Sequence, residues 1–461
     1  MQKTRRQLAG QALLSMVDVK APLVFPAKTR QPSRTSQELL DDDAQYVLRP
    51  WWGPDEPLPI VKGNGIMVQD ADGREYLDFT AGYFVNQAGH CHPRIVNAAI
   101  EQLRRVSQVS GRHASEPSIL LAKRLAAVAP GRLAKTLFTT GGCESFEFAI
   151  KMTRQASGKP GVLCLTNAFH GLSVTALAAC SNEQYRATAA VPLDASFVRA
   201  PTPYCYRCSH ESSCALQCVD ELERLLDAHP EIGTLAAEAV QSVGGIIPPQ
   251  EWWLRVDALR RERGILLMLD EIQTGLGRTG ALFAGQHYQL EPDVMALAKG
   301  LSGGVGSLGA VMCTSEVAAG FQAGTSPTSG GNAVSCAAGL ALLETVLDEE
   351  LCENATAMGR YLGSAIAERA LPWVGDIRFK GLLGGVELVK SRAAKVPIEK
   401  ETMNRIKSTL LELGVIASTS GPLGNVVRIQ PPLSVEREQI DVFVDRFAQA
   451  VTRVCSSALA E

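Results

Sequence analysis

No stretch of the 461-residue chain reaches the roughly 18 consecutive apolar residues of a membrane-spanning helix, so the sequence predicts a soluble protein with no membrane partner. Net charge is nearly absent too. At −3, with a pI near 6.2, the chain offers no basic field for nucleic acid, and no acidic partner is indicated. No signal-peptide core is recognisable, so the twelve cysteines are expected as free thiols in a reducing, cytoplasmic setting rather than as a disulfide framework. Acids are scarce in one segment: up to Gln37 only Asp18 stands against Lys3, Arg5, Arg6, Lys20, Lys28, Arg30 and Arg34. An Arg-rich, acid-poor leader fits either an organelle transit peptide or a flexible extension that docks on a partner subunit. Pro22, Pro26 and Pro32 argue against a continuous helix there.

What the chain does have is a globular composition, 46% hydrophobic and 20% charged. Its length suggests about two to three domains. The informative stretch runs from 261 to 304. Ile265 to Leu269 is a short apolar run ending in Asp270 and Glu271, which suits a buried parallel strand opening onto a site at its carboxyl end. After a loop containing Gly275, Gly277 and Gly280, a second apolar segment, Val294 to Ala298, delivers Lys299 just before Gly300. A lysine beside a buried acid is what pyridoxal phosphate chemistry needs: the amine bonds to the cofactor, and the carboxylate holds the pyridine nitrogen protonated. Each residue alone has an ordinary explanation, the acid as a turn residue and the lysine as a solvated helix end. Together they make a constellation.

Around that pair the motifs LDEIQTGLGRTG (269–280), PDVMALAKGLSGG (292–304) and TTGGCESFEFAIKMTR (139–154) resemble the class III, or subgroup II, aminotransferases of the fold type I pyridoxal phosphate enzymes. DADGREYLDFTAG (70–82), GHCHPRI (89–95), AFHG (168–171) and VVRIQPPL (426–433) extend the resemblance over nearly everything from about residue 45 onward. It implies an α/β fold with a large domain built on a mostly parallel sheet and a smaller α+β C-terminal domain. The expected layout is a flexible extension over 1–44, a segment over 45–95 edging the active site, a cofactor-binding domain over 96–346 and the small domain over 347–461.

By the same resemblance Lys299 and Asp270 are the catalytic pair. Gly141, Gly142, Cys143, Phe169, His170, Glu238, Gln273 and Thr328 join them in holding the cofactor. Small residues at a strand-to-helix turn leave backbone amides free for a phosphate, Phe169 stacks on the ring, and Gln273 contacts the ring oxygen. Thr328, in the loop TSPTSGGN, reaches the neighbouring subunit's phosphate, which implies a homodimer or a dimer of dimers. Arg428 binds the substrate carboxylate through its planar fork, and Tyr83 and Phe84 frame the substrate.

The chain also departs from the family. Ala239 and Ser242 alter the stretch after Glu238, Gln241 remains, and Ser329 replaces the aromatic residue after Thr328. Val243 stands where ω-amine enzymes carry a glutamate that draws the arginine away. These features imply an aminotransferase working between an amino acid or amine donor and a small 2-oxo acid such as pyruvate or glyoxylate. Alternatives are a decarboxylase of the 2,2-dialkylglycine type, whose orienting glutamine is Tyr83 here, a racemase or epimerase, or a catalytically silent interaction protein on the same fold.

Two further clusters invite a metal reading. His90 and His92 lack a third ligand nearby and read as turn and packing residues. The insertion 201–219 holds Cys205, Cys208, Cys214 and Cys218, with one C-x-x-C and one C-x-x-x-C pair. The imperfect spacing favours a cysteine-rich surface insertion over a zinc or iron–sulfur site, and no metal is expected.

Overall fold

The computed structural model describes residues 34–49, 58–109, 113–210, 213–322, 324 and 326–458. The basic leader up to residue 33, with its prolines, lies outside the described residues. Helix α1 (Ser36–Tyr46) starts at a capping box, in which the Thr35 hydroxyl accepts from the Glu38 amide and the Glu38 carboxylate accepts from the Thr35 amide. It overlaps the end of the segment 1–44 that the sequence reading takes as an extension. None of its residues is buried. The helix belongs to a compact unit that also contains the turn Asp70–Arg74, and the Ser36 amide donates to the Asp72 carboxylate at 2.9 Å.

The other unit spans Lys62–Gln69 and Glu75–Glu461. Its main sheet contains β1 (Leu133–Thr139), β2 (Gly161–Leu165), β3 (Phe197–Ala200), β4 (Ile232–Ala237), β5 (Leu266–Asp270), β6 (Val294–Leu297) and β7 (Gly309–Thr314). Their order across the sheet is β1-β7-β6-β5-β4-β2-β3. Strands β2 to β6 pair in parallel and β7 runs antiparallel between β1 and β6. The alternation of side chains explains the unbroken apolar runs. Leu267, Leu269, Met295 and Leu297 enter one apolar cluster, while Met268, Val294 and Ala296 enter a second. A strand buried on both faces has no polar positions to alternate.

Parallel pairing brings the carboxyl ends of β4, β5 and β6 to one edge, with Ala237 opposite Leu269 and Asp270 opposite Ala296. That register delivers the acid and the lysine to neighbouring strand ends. Helix α2 (Gly142–Ser157) starts from the turn after β1 and packs along β6 and β7, and α3 (Ala333–Asp348) carries the chain to the C-terminal part. There β8 (Val374–Lys380), β9 (Leu383–Ser391), β10 (Ser418–Ser420) and β11 (Val426–Ile429) form an antiparallel sheet in the order β8-β9-β11-β10. None of the helices among the described residues is long and apolar enough to cross a membrane.

The cysteine-rich insertion is docked by charge rather than by its thiols. Tyr204 and Arg207 both bind the Glu387 carboxylate on β9, which is fully buried and also accepts from Arg378 at 2.9 Å. Burial alone would raise the Glu387 pKa, but the Tyr204 and Arg378 bonds and the two arginine charges outweigh it and hold the pKa below its ordinary value. Cys205, Cys208, Cys214 and Cys218 are all free, and among the described residues no group of three or more His, Cys, Asp or Glu is placed to hold a metal ion. His90 and His92 diverge: His90 bonds Asp78 at 2.8 Å, whereas His92 faces Glu349 at 3.3 Å.

Candidate active site

The two carboxylates that end β5 face different environments. Asp270 is buried, accepting from His170 Nδ1 at 2.7 Å and from the Ile272 amide at 3.0 Å. Glu271 points into the following loop, where it accepts from Thr274 Oγ1 and from the amides of Ala284 and Gly285. Burial pushes its pKa up to about 7 against those three bonds. Glu271 therefore closes the glycine-containing loop, and Asp270 alone is joined to a candidate site residue. His170 is fully buried and stacks on Phe146, with ring centroids 4.7 Å apart. Burial lowers its pKa, but the hydrogen bond and charge of Asp270, helped by Glu238, reverse the shift and raise it.

Lys299 leaves β6 in a left-handed conformation, φ 41°, and its amine bonds Gln273 Oε1. Burial first and the Arg428 charge second bring the Lys299 pKa down to about 8, opposed by Glu238 and Asp270. Gln273 in turn donates Nε2 to Gln430 Oε1 at 2.9 Å. Gln430 was not singled out in the sequence. The signal available was a lone amide between an apolar strand and Pro431-Pro432, where a polar residue needs a partner.

The turn entering α2 sits beside these groups. At Gly141 an added Cβ would meet no atom within 4 Å, so the backbone borders open space at the start of a 16-residue helix. A Cβ at Gly142 would lie 3.2 Å from Ile272, which places the cup next to the Asp270–Gln273 turn. Cys143 packs its sulfur against Gly171 and accepts from the Leu172 amide at 3.4 Å. Phe169 packs edge-on against Tyr185 at 5.7 Å, and its amide donates to Glu238 at 3.3 Å. Glu238 also accepts from the Ser242 amide, and burial is the largest cause raising its pKa.

On the C-terminal sheet Arg428 lies with its guanidinium 4.0 Å from the Phe84 ring centroid and 5.7 Å from that of Tyr83. Lys299 Nζ is 5.8 Å from the same Phe84 ring. Ala81, Gly82, Tyr83 and Phe84 all have positive φ, from 49° to 72°. An L-residue in a left-handed turn costs about 1–2 kcal/mol, so the turn needs support from outside itself. The structure therefore gathers Asp270, His170, Gln273, Lys299, Arg428, Tyr83 and Phe84. Thr328 stands apart: it is exposed, and its carbonyl accepts from Gln108 at 3.0 Å.

The donor set fits pyridoxal phosphate on structural grounds. A buried amine of lowered pKa lies near a buried carboxylate, and a helix N-terminus opens onto space. His170 Nε2, Gln241 Oε1 and Gln430 Nε2 are buried without a hydrogen-bond partner, which is the signature of polar groups built for something more than the chain itself.

The family model described as aminotransferase class-III matches residues 52–451. The acetylornithine aminotransferase of Methanothermobacter thermautotrophicus is 32% identical, over 90% of this chain and 99% of its own. Among solved structures, a thermostable (S)-enantioselective omega-transaminase from Thermomicrobium roseum superposes with a TM-score of 0.86 at 34% identity, covering 92% of this chain and all of that one. The omega transaminase of Pseudomonas jessenii, solved in complex with PMP, gives a TM-score of 0.85 at 29% identity over 91% of this chain and 98% of its own.

Proposed function

The chain belongs to the class III aminotransferases, pyridoxal phosphate-dependent enzymes, and from that premise we propose that it moves an amino group between an amino acid or amine and a small 2-oxo acid such as pyruvate or glyoxylate. The observation that carries the reading is the placement of the Lys299 amine, buried and with a pKa near 8, beside the Asp270–His170 and Arg428 groups. The cofactor supplies an electrophilic carbonyl and a protonated ring that accepts the electron pair released at the substrate Cα.

Every other part belongs to this chain's own side chains. Lys299 would anchor the cofactor and, freed by an incoming amine, would serve as the base and acid that moves the proton at the substrate Cα. Before the cofactor is attached, a pKa near 8 leaves part of the amine unprotonated near neutral pH, the form that can bond to a carbonyl. Asp270, oriented by His170, would hold the ring nitrogen protonated, Phe169 and Gln273 would hold the ring, and the amides after Gly141 would receive the phosphate. Arg428 orients the substrate through its carboxylate, and Val243 leaves no acid at the family's gate position to compete for it.

The reading is tested by exposing the loaded protein to a panel of amino acids and amines and following loss of the absorbance of lysine-bound cofactor. Accumulation of the aminated cofactor is the expected result. Inversion of the amino acid without that accumulation would assign a racemase instead.

The working unit in this reading is a homodimer. Supporting it, the loop around Thr328 is exposed and tied to the segment at Ser107 and Gln108, just beyond Ile100, Leu103 and Val106, which are apolar and exposed. The partner subunit's Thr328 would complete the phosphate cup. Mixing inactive Lys299→Ala chains with inactive chains altered at Thr328 should restore activity, because one site of a mixed dimer then receives both lesions and the other neither. No recovery, with subunit exchange verified, would rule out a role for Thr328 across the interface.

A further inference from the structure

The left-handed turn Ala81–Phe84 carries both aromatic rings that meet Arg428, and three of its four residues are not glycine. What keeps it in that conformation is a buried carboxylate outside the turn. Asp78 Oδ1 accepts from the Thr80 amide at 2.9 Å and from the Thr80 hydroxyl at 2.6 Å. Its other oxygen accepts from the Gly82 amide at 2.6 Å and from His90 Nε2 at 2.8 Å. Asp78 is thus bonded on both sides of the entry to the turn, and these bonds hold its pKa low even though burial alone would raise it.

His90 is fixed from two directions. Asn86 Nδ2, which can only donate, lies 3.2 Å from His90 Nδ1, so the ring accepts there and donates from Nε2 to Asp78. The His90 backbone exchanges hydrogen bonds with Gly65, its amide donating at 2.7 Å and its carbonyl accepting at 3.0 Å. A Cβ at Gly82 would press on the Asn86 side-chain amide, so a larger residue there would have to displace that amide from His90. The chain Asn86–His90–Asp78 therefore closes on the turn it supports.

We propose that Asp78 and His90 are positioning residues of the carboxylate subsite: they lock the left-handed turn so that the Tyr83 and Phe84 rings hold the Arg428 guanidinium in place for substrates bearing a carboxylate. The proposal rests on the reading of Arg428 as the carboxylate-binding group. Rings against the guanidinium limit its movement, the Tyr83 side chain also hydrogen-bonds it, and Ser418 Oγ restrains Nε from another side at 3.4 Å. An amine without a carboxylate makes no use of that fork.

The test compares the loaded wild-type protein with Asp78→Asn, His90→Leu and the milder Thr80→Val, which removes a single bond to Asp78. Half-reactions are followed with alanine and with 1-phenylethylamine, and propionate binding is measured by calorimetry. In the two stronger variants the affinities for alanine and propionate should fall about tenfold or more, while the half-reaction with the amine stays within about twofold. Thr80→Val should shift in the same direction by less, and it decides the matter if a stronger variant does not fold. Equal losses with alanine and amine would reduce the turn to a structural support and overturn the proposal. So would unchanged propionate binding in all folded variants. Wild-type protein that aminates its cofactor with no donor of the wider panel would sink the aminotransferase reading instead, and propionate binding would still report on the subsite.

Discussion

Lys299→Ala is expected to abolish turnover while the chain still folds. The substitution removes the covalent anchor and the proton carrier together, and loss of a positioned acid–base group alone costs about 10²–10⁴ in rate. Survival of the fold follows from electrostatics. Burial has lowered the Lys299 pKa from 10.5 in the unfolded chain to about 8 in the folded one. Before the cofactor is attached, the folded state therefore binds fewer protons than the unfolded state between those values. The resulting penalty is complete below about pH 8 and fades as pH rises toward 10.5. Alanine removes a group that opposes folding at neutral pH, so the thermal midpoint of the cofactor-free variant should not drop. Absorbance of lysine-bound cofactor persisting in the variant would show that another lysine holds it.

Asp270→Asn should cut turnover by more than ~100-fold, the scale of losing one preorganised electrostatic partner. The asparagine carbonyl can still accept from the Ile272 amide, so the end of β5 keeps its shape. The charge is what disappears. His170, whose raised pKa depends on the Asp270 bond and charge once burial has been overcome, should then lose its proton at lower pH than in the wild type, which an NMR titration would detect. Rates near normal would remove Asp270 from the site, whereas low rates with an unaltered His170 titration would break the link between the two residues.

Much of this site was legible because its parts are local. An apolar run closed by an acid and another closed by a lysine are strand ends by composition alone, and α2, α3 and the C-terminal strands fall close to where periodicity places them. The choice of Asp270 over Glu271 rests on the family resemblance and not on the two residues themselves. Adjacent residues leave a strand end in opposite directions, and the partners that distinguish them, His170 on one side and the Ala284 and Gly285 amides on the other, are far away in the chain. The Gln430–Gln273 bond and the link from His90 to Asp78 are illegible in sequence for the same reason. An isolated polar residue in sequence carries no mark of what it will touch.

The family, the parallel sheet at the heart of the fold, and the lysine and acid that arrive at its edge are legible in the linear chain, because burial on both faces and strand-end chemistry are written in short contiguous segments. That the Asp270 carboxylate meets His170, that the Lys299 amine has a lowered pKa, and that residues 81–84 turn left-handed against Arg428 follow from the folded packing alone. Desolvation and long-range hydrogen bonds depend on what the rest of the chain places around a residue. Local preference would have put Ala81, Tyr83 and Phe84 in an ordinary right-handed or extended backbone, and the buried Asp78 carboxylate overrides it.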